Sequence, residues 1–296
     1  MMKGIILAGG VGSRLYPLTV VASKQLQAVY DKPMVYYPLT TLIESGIRNF
    51  CLISTPDDLP RYQRLLGLGR QWGVSIEYRK QPKPAGIAQA FIIAESFIGK
   101  NSVTLILGDN IFLRADTFSR AIAEFQTGAT VFGCRVKDPA QYGVVELDAR
   151  GRPLSIEEKP KRPRSSYAIP GIYIYDPEVV GIAKKLKPSR RGELEIMGLN
   201  LEYLHRGQLQ VYRLPPGFVW LDAGTSSTLH QASTTVEAFE KKNGIKIGCP
   251  EQSAFRQGLL TRNQLDELAR KMPACEYRDS VQRMIGTTMP RARRTH

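Results

Sequence analysis

The strongest constraint on this chain is the run Lys3-Gly-Ile-Ile-Leu-Ala8, which is apolar without alternation and closed by Gly9 and Gly10. A strand with one wet face alternates apolar and polar residues. A strand covered on both faces does not, so this run belongs inside a parallel sheet with layers on either side. Asn49-Phe-Cys-Leu-Ile-Ser54 and Val103-Thr-Leu-Ile-Leu107 repeat the pattern, and between them Ile87, Phe91, Ala94 and Ile98 recur at helical spacing. Strand, helix, strand order implies right-handed crossovers, and ligands in such sheets sit beyond the carboxyl ends of the strands.

These signals predict an α/β domain over residues 1–240, with a Rossmann-like mixed, mostly parallel sheet flanked by helices. Its second half carries strands at Ala129–Val136 and Gly171–Tyr175. A helix from about Glu193 places Leu194, Met197, Leu201 and Leu204 on one face. From about Thr225 the chain reads as helical, and Phe255, Leu259, Leu260, Leu265 and Leu268 mark a small C-terminal helical segment over residues 241–285. Residues 286–296, with Arg291, Arg293 and Arg294, read as a basic, disordered tail.

Composition excludes several classes. The apolar stretch Ile5–Val11 is broken by glycines and falls far short of the ~20 residues of a membrane span. It also lacks the Ala-x-Ala site of a signal peptide. Cys51, Cys134, Cys249 and Cys275 show no CxxC spacing, which argues for a reducing, cytoplasmic setting rather than a disulfide or zinc framework. Lys and Arg number 41 against 27 Asp and Glu, a formal charge of +14 that favours anionic partners. The basic residues are spread along the chain without aromatic interleaving, so phosphorylated small molecules are expected rather than nucleic acid or a membrane.

The loop Gly9-Gly10-Val-Gly12-Ser13-Arg14-Leu15 directly after the first strand can present backbone N–H groups and a forked cation to phosphate. A dinucleotide fingerprint would need glycine where Leu15 stands, and no GxxxxGK[ST] run occurs. Ser23-Lys24-Gln25-Leu26 adds a second cation. Leu107-Gly108-Asp109-Asn110 and Trp220-Leu-Asp222 put carboxylates at strand ends, where two aspartates suffice for magnesium, which fills its other positions with water and phosphate. Either aspartate alone reads as an ordinary cap or turn residue. Glu157-Glu158-Lys159-Pro160 offers a carboxylate and a cation side by side for a sugar hydroxyl and its phosphate. His205, His230 and His296 lie outside all these motifs and read as structural or exposed.

Together the segments resemble the sugar-1-phosphate nucleotidylyltransferases, and among them the short bacterial glucose-1-phosphate thymidylyltransferases. The likeness rests on the loop Lys3–Leu15, Ser23–Leu26, Tyr30–Met34, Gln81-Pro82, Gly108–Phe112, Tyr142-Gly143, Glu157–Pro160, Arg191–Ile196 and Trp220–Asp222, in family order from Met2 to about Arg270. The resemblance implies a nucleotide site of Gly9, Gly10, Gly12, Ser13, Arg14, Lys24, Gln25, Gln81, Gly86 and Asp109. Here dTTP would have its phosphates on Arg14 and Lys24 and its base on Gln81 and Gly86. It further implies Mg²⁺ on Asp109 and Asp222. Asn110, Gly143, Glu158 and Ile169 would hold glucose 1-phosphate, with Lys159 and Arg191 clamping its phosphate. Arg14, Lys24 and Lys159 would carry the catalysis, and the chain would assemble as a homotetramer.

The sequence departs from the family at Gln27-Ala28, Ala85, Pro170, Met197-Gly198 and Ala223; the resemblance puts Ala85 beside the base pocket, Pro170 beside the sugar pocket and Ala223 beside the metal ligand, and the catalytic charges are all kept. The loop Leu113-Arg114-Ala115 departs where the family has a second nucleotide site, while Arg256 is kept, which implies weakened feedback. Two other readings suit the same residues: transfer from UTP or to another sugar 1-phosphate, and a catalytically weak protein that binds nucleotide sugars.

Overall fold

The computed structural model describes residues 1–10, 12–114 and 116–286. The first half supplies β1 (Met2–Leu7), β2 (Ala28–Val29), β3 (Lys32–Pro33), β4 (Asn49–Ser54), β5 (Ser75–Lys80), β6 (Ser102–Leu107), β7 (Asn110–Phe112) and β8 (Ala129–Arg135). The second supplies β9 (Gly143–Leu147), β10 (Pro153–Glu158), β11 (Tyr167–Ile169), β12 (Ile172–Tyr175), β13 (Leu209–Arg213) and β14 (Trp220–Asp222). The main sheet runs in the order β10-β9-β11-β8-β12-β6-β1-β4-β5, and β13 pairs with β8 outside that path. Following the ladders, β1, β4, β5, β6, β8, β9 and β13 point one way, and β10, β11 and β12 the other. The sheet is therefore mixed and mostly parallel.

The unalternating runs are buried on both faces, as their sequence requires. Ile6, Leu52 and Ile106 pack with helices Tyr36–Glu44 and Leu59–Leu66 and with the C-terminal helices Pro250–Arg256, Arg262–Lys271 and Glu276–Gly286. Their neighbours Ile5, Leu7, Cys51, Ile53, Val103 and Leu105 face helices Val179–Lys185 and Ile196–His205 and the segment Gln89–Ile98. The stripe of Phe91, Ala94 and Ile98 is buried, but the helix breaks at Ala94 into Gln89–Ile93 and Glu95–Ile98.

The helix expected from Glu193 begins at Ile196. Its deepest residues are Ile196, Leu199, Asn200 and Tyr203, while Leu194, Met197, Leu201 and Leu204 are only half-buried. It is apolar on more than one side, so choosing the most regular leucine row missed the face that meets the sheet. Helix Ser226–Asn243 runs through position 240, opened by a reciprocal cap between Thr225 and Thr228. The arginines of the tail, Arg291, Arg293 and Arg294, and His296 lie outside the described residues. Among the described residues no helix is long and apolar enough to cross a membrane.

The sheet divides at one place. β11 and β12 form an almost continuous strand along one edge of β8, but on their other side β11 pairs with β9 and β12 with β6. Pro170, between them, has no N–H to give to a ladder. Gly171 instead donates its N–H to Asn110 Oδ1 at 2.8 Å and accepts from Leu107 N at 2.8 Å. A β-carbon on Gly171 would lie 2.7 Å from Leu107 Cδ1 and 2.8 Å from Asn110 Nδ2. Replacing Gly171 by Ala should therefore lower the unfolding free energy by about 1–3 kcal/mol through overpacking. Urea titration would measure this, and an unchanged midpoint would contradict the close approach.

Candidate active site

The loop after β1 turns through Gly12, whose φ of 62° suits glycine, into a short turn Ser13–Leu15. Leu15 is buried and anchors the turn, leaving Arg14 exposed at the end of the sheet. Gly9 is required by proximity: a β-carbon there would lie 2.5 Å from Gln81 Oε1. Lys24 stands on the turn Lys24–Leu26 with only 7% of its surface exposed, and its ammonium pairs with Asp109 Oδ2. That turn is tied down one residue earlier. Ser23 N–H donates to buried Asp58 at 3.2 Å, and the Ser23 hydroxyl bonds Tyr62 OH at 2.7 Å.

Asp109 leaves β6 through Gly108, where a side chain would collide with Gln25 Cγ at 2.7 Å. β7 follows at once and pairs antiparallel with β14, setting Asn110 opposite Asp222. Ala223 N–H donates to Asp109 O at 3.2 Å and closes this corner. Two carboxylates 113 positions apart in the chain, Asp109 and Asp222, are thereby held at one point. Burial first, and then the Asp109 charge, push the Asp222 carboxyl above the ordinary range; Lys24, Arg14 and Lys159 pull the other way. Arg14 and Asp222 also meet at Gly224, where a β-carbon would be 3.1 Å from Arg14 Nη2 and 3.2 Å from Asp222 Oδ1.

Asn110 fixes the geometry of the pair. Its Nδ2 donates to Asp109 Oδ1 at 2.9 Å, and its Oδ1 accepts from Gly171 N at 2.8 Å and Trp220 Nε1 at 2.7 Å. The Trp220 ring packs on Tyr142 with centroids 4.7 Å apart.

Beyond the fork, Gly143, Glu158 and Ile169 come together. A β-carbon on Gly143 would lie 3.3 Å from Glu158 Oε2 and 3.9 Å from Ile169 Cβ. Burial raises the Glu158 carboxyl, with Lys159 and Arg191 lowering it and Glu195 raising it. Lys159 adopts a φ of 47°, a left-handed conformation costly for a residue with a β-carbon, and donates its N–H to Tyr142 O at 3.0 Å. Arg191 is 65% exposed in its side chain and donates to Glu195 Oε1 at 2.9 Å.

On the other flank, Gln81 is buried and donates from Nε2 to Gln89 Oε1 at 2.8 Å. Gly86, at φ 97°, lies against the Leu194 backbone, with a β-carbon position 2.6 Å from Leu194 N. Gln25 is buried beside Gly108, whereas Gly10 and Ser13 are exposed, with open space around a β-carbon at Gly10. Arg256 is held by Glu44 at 2.8 Å, remote in the fold on the C-terminal helix Pro250–Arg256, and Ala115 lies outside the described residues. His205 and His230 are exposed.

Sequence reasoning overlooked Trp220 and Tyr142 as site residues although both stand inside quoted motifs. It also passed over Glu195, which stands inside the segment Arg191–Ile196, and Gln89 and Gly171, which no motif singles out. Among the described residues, no group of three or more His, Cys, Asp or Glu side chains is arranged for a metal. Two converging carboxylates nonetheless suit a hard ion that takes one or two protein oxygens and completes its shell with water and phosphate.

The nucleotidyl transferase family profile matches residues 3–238. The chain belongs to that family. It is 50% identical over 287 residues to glucose-1-phosphate thymidylyltransferase of Neisseria meningitidis, spanning 96% of this chain and 99% of the relative. The enzyme of the same name from Mycobacterium tuberculosis is 49% identical over 278 residues, 93% of this chain and 96% of the relative. A crystal structure from Bacillus anthracis, provisionally assigned as a glucose-1-phosphate thymidylyltransferase and holding sucrose, superposes with a TM-score of 0.74 at 42% identity. It covers 79% of this chain and 95% of the other. The fold is shared more widely: a UDP-glucose pyrophosphorylase structure at 22% identity gives a TM-score of 0.69 over 82% of this chain.

The raised Asp222 carboxyl has a consequence for stability. A carboxyl held above its unfolded value stabilises the fold fully below the ordinary 3.8 and loses that contribution as pH rises through its folded value. At neutral pH Asp222 is thus a destabilising charge in the ligand-free transferase. Asp222→Asn should raise the melting temperature at pH 7.5, with the gain vanishing toward pH 4. Calorimetric melts at both pH values test this, and a variant that melts lower at pH 7.5 would contradict the repulsion.

Proposed function

We propose that this transferase joins α-D-glucose 1-phosphate to dTTP, forming dTDP-glucose and pyrophosphate for nucleotide-sugar synthesis. The observation that carries the reading is the meeting of Asp109 and Asp222 with Lys24, Arg14 and Lys159 at the end of the sheet. The half-identity to enzymes of that name supports the choice of substrates.

Arg14 and the N–H groups of the glycine-rich loop hold the β- and γ-phosphates, and Lys24 reaches toward the α-phosphate. Asp109 and Asp222 are the residues that would hold Mg²⁺. When bound, the ion supplies charge neutralisation to the phosphate oxygens. On the other side of the fork, Glu158 and Asn110, with the backbone at Gly143 and Ile169, grip the glucose, and Lys159 and Arg191 turn its phosphate toward the nucleotide. Arg191 leaves Glu195 to do so.

A sugar phosphate with a second pKa near ~6 is already a dianion at neutral pH, so one of its oxygens attacks the α-phosphorus without a general base. The bond from the α-phosphorus to the bridging oxygen breaks, and pyrophosphate leaves with the electron pair. In-line geometry requires the attacking and departing oxygens on opposite sides of phosphorus, which fits sugar and polyphosphate sites on opposite sides of Asp109. The site's work is to bring two anions together and to stabilise the departing charge. A homotetramer in the cytoplasm belongs to the same proposal.

Initial rates of pyrophosphate release across dTTP, UTP and dCTP, each with glucose and galactose 1-phosphates, test the assignment. dTTP with glucose 1-phosphate should give the highest kcat/KM; release with none of the pairs would favour a protein that only binds nucleotide sugars. Arg14→Ala should slow turnover roughly 10²-fold or more, and Asp109→Asn at least as much. Near-normal rates in either would remove the roles given to them.

A further inference from the structure

The buried amide of Gln81 is only 3% exposed, and its two ends differ. Nε2 has a partner in Gln89 Oε1 at 2.8 Å, whereas Oε1 has none and lies against Gly9, where only a glycine leaves room for it. Gln89 Oε1 also receives the N–H of Ala85 at 3.4 Å, and Ala85 is held by accepting from Leu194 N at 2.8 Å.

A glutamine amide can be turned end for end when its partners allow. Here they do not. Turning Gln81 would bring its oxygen onto the oxygen of Gln89, and turning Gln89 as well would aim an NH₂ group at the Ala85 N–H. A backbone donor, which cannot be reversed, thus fixes the sense of both side chains.

We infer that Gln89 is a positioning residue that sets nucleobase specificity, by holding Gln81 so that the end it offers a base is the acceptor oxygen and not the NH₂ group. This rests on the reading of Gln81 as part of the base pocket. An acceptor-only contact selects a pyrimidine ring with a proton on N3, as in uracil and thymine. Cytosine, nearly the same size, has a lone pair at N3 that would face the Gln81 oxygen. The buried acceptor, without a partner in the protein, finds its donor in the imide N–H and is left unpaired by cytosine.

The test compares kcat/KM for dUTP and dCTP, with glucose 1-phosphate and Mg²⁺, in the wild type, Gln89→Met and Gln89→Glu. Calorimetric affinities for dUDP and dCDP, without the sugar phosphate, accompany the rates. Met keeps the length of Gln89 and removes its acceptor; Glu keeps an acceptor for both Gln81 Nε2 and the Ala85 N–H. The wild type should favour dUTP by roughly 10²-fold or more. In Gln89→Met the ratio should fall about 10-fold, chiefly through a higher KM for dUTP and a weaker grip on dUDP, and Gln89→Glu should restore most of it. A purely structural role for Gln89 would lower both substrates equally and leave the ratio intact, which overturns the inference. If the wild type itself did not distinguish dUTP from dCTP, the base pocket would be misassigned and the inference would fall with it. Circular dichroism melts confirm that each variant is folded, and restoration by Gln89→Glu is required even if Gln89→Met proves unstable.

Discussion

Mutual repulsion between Asp109 and Asp222 is the interaction on which the rest of the site depends. Left to themselves, two buried carboxylates separate or share a proton. The fold denies them the first option. β7 and β14 pair over three residues and end by setting Asn110 opposite Asp222, and Asn110 engages Asp109, Gly171 and Trp220 at once. Lys24, Arg14 and Lys159 offset part of the cost. In the proposed reading, such an arrangement concentrates charge where phosphates and a divalent ion would sit.

The two flanks of the pair are built differently. On the nucleotide side Lys24, Gln25 and Gln81 are buried, and the backbone approaches so closely at Gly9 and Gly108 that no β-carbon fits without a neighbour moving. On the sugar side the charged groups are more open. Lys159 and Arg191 are exposed, and Arg191 is engaged with Glu195, which in the proposed reading it exchanges for a phosphate. In the proposed reading, the rigid flank takes the part of the substrate that undergoes bond breaking, and the looser flank takes the group that differs most among sugar nucleotides.

Much of this was legible in the sequence because a strand buried on both faces has no alternation to confuse it. β1, β4 and β6 stand where Lys3–Ala8, Asn49–Ser54 and Val103–Leu107 placed them, and the carboxylate and glycine motifs lie at their ends. What escaped was of two kinds. A helix apolar on several sides, such as Ile196–His205, gives no unique face, so its buried row of Ile196, Leu199 and Tyr203 was not the one its leucines suggested. Long-range partnerships escaped for another reason. The bond from Trp220 to Asn110 crosses 110 positions and that from Gly171 to Asn110 crosses 61, and no local pattern records either.

The interruption at Pro170 also bears on how such a scaffold changes over generations. Hydrogen bonds carry backbone shifts from strand to strand, and between Ile169 and Ile172 that relay is cut on the edge away from β8, where β9 and β6 do not pair. In the proposed reading, β9, β10 and β11, joined to the rest of the sheet through β8, can shift to suit another hexose while β1, β6 and β7 keep their register, so acceptor choice and phosphorus chemistry are separately adjustable within one sheet.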